Sequence, residues 1–478
     1  MSSKLVKNSL IYAIGDIAPR LLSFISFPIL TRYLSPAEYG IVNYVNTVNL
    51  FLMTIGFLCL NTYYLVYYYK QPTEEDRRKL LGNLSIFIIG LNLIMTLLCF
   101  GVGPKLITKF ESNISFYPYL AIGLVTNLFG LVSVLPTALY RLEENPLPLT
   151  IINVVRGVIN LGITIWFVVG LGFKAEGLLF SQMIVTIVFG LIFIKITLNN
   201  MIWTFNWKQL KTALIFSLPL LPGSLSYLLT TMFDRILIDK YLNLTDLGIY
   251  SSASTLALIL NIISYGAYKA FEPYIFKHID SPDFAGLFTK LRNGLFWVLL
   301  SGAFGLALFA REFFQIFSEQ QYHTAYLYVP VILIGVFCSA IGMPYGTVIT
   351  AHGHTKINSA LSICGGVTSV TLNIFLLSRL GIIAACITSA LTMTLTLIAS
   401  IHFSHLKISH TPPLLAFLLT AVATLTMVYF IPIPQLWLSI VAKTIVFLII
   451  IIISSKTIGI SIKFLNKFNP FATNRSCE

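Results

Sequence analysis

Two charged residues lie inside the first long apolar segment of the chain, Leu10–Leu30. They are Asp16 and Arg20, and prolines stand at positions 19 and 28 of the same segment. At a helical rise of about 1.5 Å per residue, Arg20 would lie roughly 16 Å along a span that starts near position 9, close to the midplane of a bilayer. An isolated charge there costs on the order of 3 kcal/mol, so we expect both residues to face protein or water.

Two roles for this pair stay open from the residues alone. Asp16 and Arg20 are four positions apart, so they share a helix face and could form a structural ion pair. Alternatively, Arg20 faces a substrate and Asp16 carries a coupling proton. Both interpretations require a polar environment within the membrane.

A second set of polar residues follows one face of a later apolar segment at steps of three and four positions. Its members are Asn153, Arg156, Asn160 and Thr164. Small and polar residues recur 209 positions later, at Ser362, Gly365, Ser369 and Asn373. Two such faces predict either opposite walls of one hydrated chamber or helix contacts built from small and amide residues. Arg156 favours the chamber, where the predicted substrate-binding residues are Arg20, Asn153, Arg156, Asn160, Ser362, Ser369 and Asn373.

Further charges stand near the ends of apolar segments. Arg32 and Glu38 follow the first segment, and Asp234 and Arg235 follow the seventh, which covers 213–233. Charges at such positions usually snorkel or pair between loops, so we expect them to form gating or structural pairs. Lys443 lies deeper in the last segment, and the sequence offers no partner for it.

The elements that must position these residues are membrane helices. Of 478 residues, 56% are hydrophobic and only 10% are charged, which predicts an all-α polytopic membrane protein. We count about fourteen candidate spans, joined by short loops; the longest intervals include a cytoplasmic loop over 271–292. The net charge of +13 does not indicate a nucleic-acid partner, because Lys and Arg gather at the ends of spans.

An internal repeat relates the two halves of the chain. The motif YLSPAEYGIV begins at Tyr33 and YLNLTDLGIY at Tyr241, 208 positions later. LGFKAEG begins at Leu171 and LGIIAAC at Leu380, 209 positions later. Since this offset contains six spans, we expect two pseudo-symmetric six-helix lobes of the same orientation around a central cavity. The predicted domains are a lobe over 1–196, a cytoplasmic linker over 197–212, a lobe over 213–402, an extra helix pair over 403–455 and a basic cytoplasmic tail over 456–478.

Basic residues are more numerous on the side of the two termini, which predicts that both are cytoplasmic.

Several classes of protein are disfavoured by what the sequence lacks. There is no G-x-x-x-x-G-K or H-E-x-x-H element, and no large loop for a catalytic domain. The six cysteines and the loop histidines at positions 352, 354, 402, 405 and 410 show no metal-binding pattern. We therefore expect no cofactor and no metal.

Four motifs together resemble a known family across nearly the whole chain. They are LTRYLSPAEYGIV, LYRLEENPLPLTIINVVRG, LGFKAEGLLFSQ and SLPLLPGSLSYLLTTMFDRILIDKYLNLTDLGIYSSAS. They are similar to the polysaccharide transport branch of the multidrug/oligosaccharidyl-lipid/polysaccharide exporter superfamily, which includes Wzx-type O-antigen flippases. The PRLLSF segment also resembles the start of the related lipid II flippases, in which the arginine that corresponds to Arg20 lines the cavity.

The resemblance implies a non-enzymatic flippase of the bacterial inner membrane. Its cargo would be an undecaprenyl-diphosphate-linked oligosaccharide, such as an O-antigen repeat of lipopolysaccharide, carried from the cytoplasmic to the periplasmic leaflet by alternating access. A polysaccharide polymerase and a chain-length regulator would be its protein partners. Two alternatives stay open: a cation-coupled drug antiporter of the same superfamily, and a membrane enzyme of polysaccharide assembly.

Overall fold

The chain is described from a computed structural model that covers residues 3–110, 112–404, 414–430 and 435–458. Within these ranges the protein is helical and contains no β-strand. The side chains of some helical residues, among them Asp16 and Lys269, lie outside the described part, as do His405, His410 and Cys477. The predicted all-α class is confirmed.

Nineteen α-helices follow one another through the described ranges. They are α1 (Ser3–Tyr33), α2 (Pro36–Phe57), α3 (Leu60–Tyr67), α4 (Glu74–Lys109), α5 (Ala121–Leu131), α6 (Val134–Leu142), α7 (Pro146–Ile165), α8 (Lys174–Asn200), α9 (Trp207–Ser217), α10 (Leu221–Thr231), α11 (Asp234–Tyr241), α12 (Leu244–His278), α13 (Phe284–Leu308), α14 (Ala310–Phe317), α15 (Val329–Ala351), α16 (Thr355–Leu380), α17 (Ile382–Phe403), α18 (Leu414–Leu425) and α19 (Leu436–Ile458). Short π turns precede α5 and follow α7 and α18, and 3-10 turns precede α10 and α15.

Twelve helical segments of the described residues are long and apolar enough to cross a membrane, so this is a multi-pass membrane protein. Two of the predicted spans, Leu10–Leu30 and 414–430, correspond to α1 and to α18 with the π turn that follows it; both are helical but are not among the twelve. The predicted loop over 271–292 is wrong, because α12 continues to His278 and α13 already begins at Phe284. Charged residues near the end of α12 and the start of α13 interrupt the apolar pattern, so the sequence did not show where these helices end and begin.

Local sequence explains where several helices begin or break. Ser35 and Glu38 form a reciprocal capping box, with Pro36 in the first turn, so α2 starts directly after α1. Leu58 and Cys59 have φ values of 48° and 58°, in the left-handed region, and this separates α2 from α3.

The described chain divides into two compact units. Unit 1 comprises Met1–Ser252, Ser318–Tyr322 and Ser362–Thr388, and unit 2 comprises the remaining segments. In unit 1, α1 packs along α7. Small residues permit the close approach: a Cβ atom on Gly15 would lie 2.7 Å from Thr150 Oγ1, and one on Gly157 would lie 2.9 Å from Leu22 Cδ1. The Thr150 hydroxyl donates to the carbonyl of Ile11 at 2.9 Å.

The two copies of the repeated motif meet in unit 1. A Cβ atom on Gly40 would lie 2.5 Å from the carbonyl oxygen of Leu244, and one on Gly248 would lie 1.7 Å from that of Pro36. Pro36 and Leu244 are 208 positions apart, as are Gly40 and Gly248, so the contact is reciprocal under the repeat. We call these four residues the repeat contact. It requires glycine at both positions, because any side chain would collide with the facing backbone.

The segment that joins α8 to α9 is held against α4. A Cβ atom on Gly82 would lie 2.1 Å from the carbonyl oxygen of Ile202, so only glycine fits there. The amide of Asn83 donates to the carbonyl of Asn206 at 3.0 Å and accepts from its backbone N–H at 3.1 Å. This connection is therefore short and ordered, with only residues 201–206 between the two helices.

Lys443, which had no partner in the sequence, is paired within unit 2. Its Nζ donates to both carboxylate oxygens of Glu312 on α14, at 2.7 and 2.8 Å, and Ser439 donates to the same carboxylate at 2.5 Å. Lys443 and Glu312 are each 3% exposed. The ion pair therefore fixes α19 against α14 at a buried point.

We predict that Lys443→Met destabilises the protein by about 3–5 kcal/mol, because it leaves the Glu312 carboxylate buried without its counter-charge. The double variant Lys443→Met, Glu312→Leu should be closer to the wild type than the single variant, since it removes both charges. Thermal unfolding of the purified protein measures both effects, with Lys456→Met, an exposed lysine of the same helix, as the control. A single variant as stable as this control would contradict the prediction.

Candidate functional site

The crossing of α1 and α7 brings the two predicted substrate-binding arginines to one level of the bundle. Pro19 and Leu22 of α1 lie against Gly157 of α7, so Arg20 and Arg156 are each one position from this contact. The Arg20 side chain is exposed, whereas Arg156 is partly buried. The Nη2 atom of Arg156 donates to the Thr186 hydroxyl on α8 at 3.0 Å.

Arg156 makes no ion pair with a carboxylate of the described residues. Among the side chains that the structure describes, no Asp or Glu lies within 4.0 Å of its guanidinium. Its partner is a neutral hydroxyl, which holds the guanidinium in place without cancelling its charge. Such a group favours an anionic ligand.

The polar face of α7 has an accessible part and a buried end. Asn153 and Asn160 are partly buried and lie on the same helix face as Arg156. Thr164 is only 2% exposed, and its hydroxyl shares a 2.7 Å hydrogen bond with Ser181 on α8. The first three polar residues are thus only partly buried, and the fourth joins two helices.

The corresponding face of α16 is mostly a helix contact. Ser362 is partly buried, but Ser369 and Asn373 are each 1% exposed. Asn373 donates to the carbonyl of Ser369 at 3.0 Å and accepts from the Thr388 hydroxyl on α17 at 2.9 Å. For Ser369 and Asn373 this geometry favours the helix-contact interpretation that the sequence left open.

Glu38 has other partners than the nearby Arg32. Its carboxylate accepts from the backbone N–H of Ser35 at 2.7 Å and lies 3.1 Å from Nζ of Lys174. Arg32 is exposed at the end of α1. Lys174 belongs to the LGFKAEG motif, and sequence reasoning did not connect it with Glu38 because 136 positions separate the two residues.

Asp234 and Arg235 form a buried cluster with Tyr250. Nη1 of Arg235 lies 3.2 Å from Oδ1 of Asp234, and the Tyr250 hydroxyl donates to the other carboxylate oxygen. The Arg235 guanidinium lies 5.6 Å from the centre of the Tyr250 ring. Burial raises the pKa of the Asp234 carboxyl, and the charge of Arg235 opposes that rise. The FDR segment (233–235) and the GIYS segment (248–251) of one motif are therefore joined through this cluster.

No metal or cofactor site emerges from the described residues. No group of three or more His, Cys, Asp or Glu is arranged to hold a metal ion within the ranges that the structure covers. The ring of His352 lies 2.9 Å from the carbonyl of Val348, at the end of α15.

The model of a protein family described as "Polysaccharide biosynthesis protein" matches residues 5–278, more than half of the chain. A curated relative, an uncharacterized membrane protein of Haemophilus influenzae, is 25% identical over 315 residues, which are 62% of this chain and 70% of the relative.

Two solved structures share the fold at low sequence identity. The lipid II flippase MurJ, in an inward closed conformation, aligns with a TM-score of 0.74 and 13% identity over 93% of this chain and 98% of its own. An inward-facing multidrug resistance transporter of the MATE family and MOP superfamily aligns with a TM-score of 0.61 and 14% identity, over 83% and 98% of the two chains. The resemblance found in the sequence motifs is confirmed.

We predict that Asp234→Asn destabilises the protein by about 3–5 kcal/mol, because the Arg235 side chain, only 12% exposed, loses its counter-charge. Tyr250→Phe removes one hydrogen bond to a charged group and should cost about 1–3 kcal/mol. Thermal unfolding of the purified variants tests this order, with Asp246→Asn, a less buried carboxylate at the start of α12, as the control. If Asp234→Asn unfolds at the control's temperature, the cluster has no structural role.

Proposed function

Because the chain belongs to the family of polysaccharide biosynthesis proteins, we propose that it is a flippase for an undecaprenyl-diphosphate-linked oligosaccharide. It moves this cargo, an O-antigen or other surface polysaccharide repeat, from the cytoplasmic to the periplasmic leaflet of the bacterial inner membrane. The observation that carries the proposal is the placement of Arg20 and Arg156 at one level of the α1–α7 crossing.

The chemistry of the cargo matches this placement. A diphosphate carries its charge into an apolar region only if cations and hydrogen-bond donors replace the lost water. A guanidinium presents several donors in a planar fork, which suits phosphate oxygens better than a single ammonium group does. Arg156, held by Thr186 and free of a described carboxylate, supplies such a group.

The sugars require polar groups beside the cations. Asn153 and Asn160 flank Arg156 on one helix face, and Ser362 is partly buried on α16. We assign contacts with sugar hydroxyls to these three residues. Asn373 joins α16 to α17 through Thr388, and in the proposal the lipid tail stays in the hydrocarbon of the bilayer.

Further support comes from the fold. It is shared with a lipid II flippase, and the family is described by polysaccharide biosynthesis, so a lipid-linked saccharide fits both findings. In our proposal both termini are cytoplasmic, the cargo site opens to each side in turn, and a polymerase and a chain-length regulator use the product.

A drug antiporter is the second candidate, because the fold is also shared with a MATE family transporter. Cationic cargo would need a carboxylate at the site. The first segment and α7 carry two embedded arginines, Arg20 and Arg156, against one acid, Asp16, whose side chain lies outside the described part; this balance favours an anionic cargo.

We predict that Arg156→Ala and Arg20→Ala each lower export of the glycan about 10-fold or more, since each removes charge-assisted hydrogen bonds to the diphosphate. The measurement extracts undecaprenyl-linked lipids from a deletion strain that carries each variant, and determines which leaflet holds the oligosaccharide. Accumulation on the cytoplasmic side is the expected result.

The matched control is Arg379→Ala, an exposed arginine at the end of α16, which should restore export fully. Lysine variants of Arg20 and Arg156 should retain partial export, because they keep the charge but lose the planar fork. Normal export by a correctly inserted double alanine variant would refute the assignment. A normal glycan surface in the deletion strain, with altered sensitivity to cationic drugs, would instead identify an antiporter.

A further inference from the structure

Asp239 on α11 is a buried carboxylate that bridges distant parts of unit 1. It is 1% exposed. Its Oδ2 accepts from the Ser112 hydroxyl at 2.6 Å, and its backbone carbonyl accepts from the Asn113 amide at 2.6 Å. Ser112 and Asn113 lie between α4 and α5, so these bonds connect the two halves of the repeat.

One atom of this carboxylate is left without a partner. Among the described residues, Oδ1 of Asp239 is buried and makes no hydrogen bond. A buried oxygen that carries negative charge without a donor is costly, whereas the neutral acid avoids most of that cost. Burial accordingly raises the pKa of the Asp239 carboxyl, and the hydrogen bonds from Ser112 and Asn113 oppose the rise only in part.

The groups around Asp239 do not supply a counter-charge. From α2, the buried Tyr44 is the ionisable side chain that faces Asp239 and Ser112. From α10, the one ionisable side chain is the exposed Tyr227. On α11 itself, Lys240 is exposed, with its Nζ 5.8 Å from the centre of the Phe110 ring, and Asp234 is paired with Arg235. Lys109 ends α4 exposed, and Glu111 lies outside the described residues.

Asp239 lies beside the repeat contact. Tyr44 is one helical turn beyond Gly40 on α2, and α12, which carries Gly248, begins three residues after α11 ends. The Tyr322 hydroxyl also donates to the carbonyl of Leu34 at 2.9 Å, directly before α2. These contacts close the end of unit 1 that the charge bias predicts to be periplasmic.

We propose that Asp239 is a proton-binding site that is completed when this end closes. The carboxylate binds one proton as the segment with Ser112 and Asn113 folds over it, and the acid releases that proton when the contacts separate. The inference rests on the proposed function, because transport requires this end to open. A proton is thus taken up from the periplasmic side at each closure.

The sign of the pH dependence follows from the two states. An exposed aspartate titrates near pH 4, whereas the closed state titrates at a higher pH because of burial. The closed state is therefore fully stable below pH 4 and becomes less stable as the pH rises towards the higher value. Opening should increase by at most about tenfold for each unit of pKa difference.

The test uses the full chain in lipid nanodiscs, with the six native cysteines replaced by serine. Leu247→Cys places a thiol at a position that is 0% exposed, beside the repeat contact. Its rate of modification by a maleimide, from pH 4 to pH 8, reports how often this end opens. Each rate is divided by the rate of the same thiol in the Gly40→Val variant, whose added side chain prevents closure. Because the thiol ionises with pH in both proteins, the ratio removes that contribution and reports opening alone.

We expect the normalised rate of the protein with Asp239 to rise several-fold across this range. Asp239→Asn, a neutral isostere, should stay low and independent of pH, and Glu176→Gln, an exposed carboxylate at the start of α8, should behave like the wild type. A pH response that persists in Asp239→Asn overturns the proposal. So does a rate that follows sodium concentration at constant pH, which would indicate a metal cation as the ligand.

The two levels of inference fail separately. If the labelling rate does not depend on pH, while deletion of the gene still leaves the glycan on the cytoplasmic side, the proton site is refuted and the flippase proposal stands. Normal glycan export in the deletion strain removes the flippase, whatever the reporter shows.

Discussion

The loss of hydration by ionisable groups governs the arrangement of this bundle. A charge carried among apolar helices must recover its solvation from neighbouring groups, and the structure does this in graded ways. Glu312 and Lys443 neutralise each other, and Asp234 is held by both Arg235 and Tyr250. For Arg156, in contrast, the partner found among the described side chains is a neutral hydroxyl. The fully paired groups hold the scaffold together, and the charge that is left over is where a ligand can contribute.

The repeated architecture and the charges serve different purposes. Gly40 and Gly248 are equivalent under the repeat, and each lies against the backbone of the other copy, so the symmetric positions carry close helix contact. The arginines break that symmetry, because the positions that correspond to Arg20 and Arg156 are Leu228 and Gly365. For the proposed diphosphate cargo, cations in one copy of the repeat suffice, while the corresponding positions of the other copy can be filled by small residues that let helices approach.

The sequence was sufficient for the helical class and for the repeat, because apolar length and a constant offset are properties of the chain itself. It was insufficient for partners that are distant in sequence. Lys443 and Glu312 are 131 positions apart and Glu38 and Lys174 are 136 apart, and no local pattern relates either pair. The polar stripe over α16 has the same periodicity whether it lines a chamber or packs on α17. Only burial, 1% exposure for Ser369 and Asn373, separates the two interpretations.

In the proposed mechanism, Asp239 at the closure and the arginines at the proposed cargo site have different electrostatic roles. An anionic head group is attracted by cations at the α1–α7 crossing and would be repelled by an ionised acid near its exit. While the end is closed, burial raises the pKa of the Asp239 carboxyl, which favours the neutral acid and so weakens that repulsion. Once the end opens, the acid ionises in water, and closing again requires a proton. The cost of closure then depends on the periplasmic pH. Because the proton is taken up and released on the same side, it sets the opening equilibrium of this end and supplies no driving force of its own.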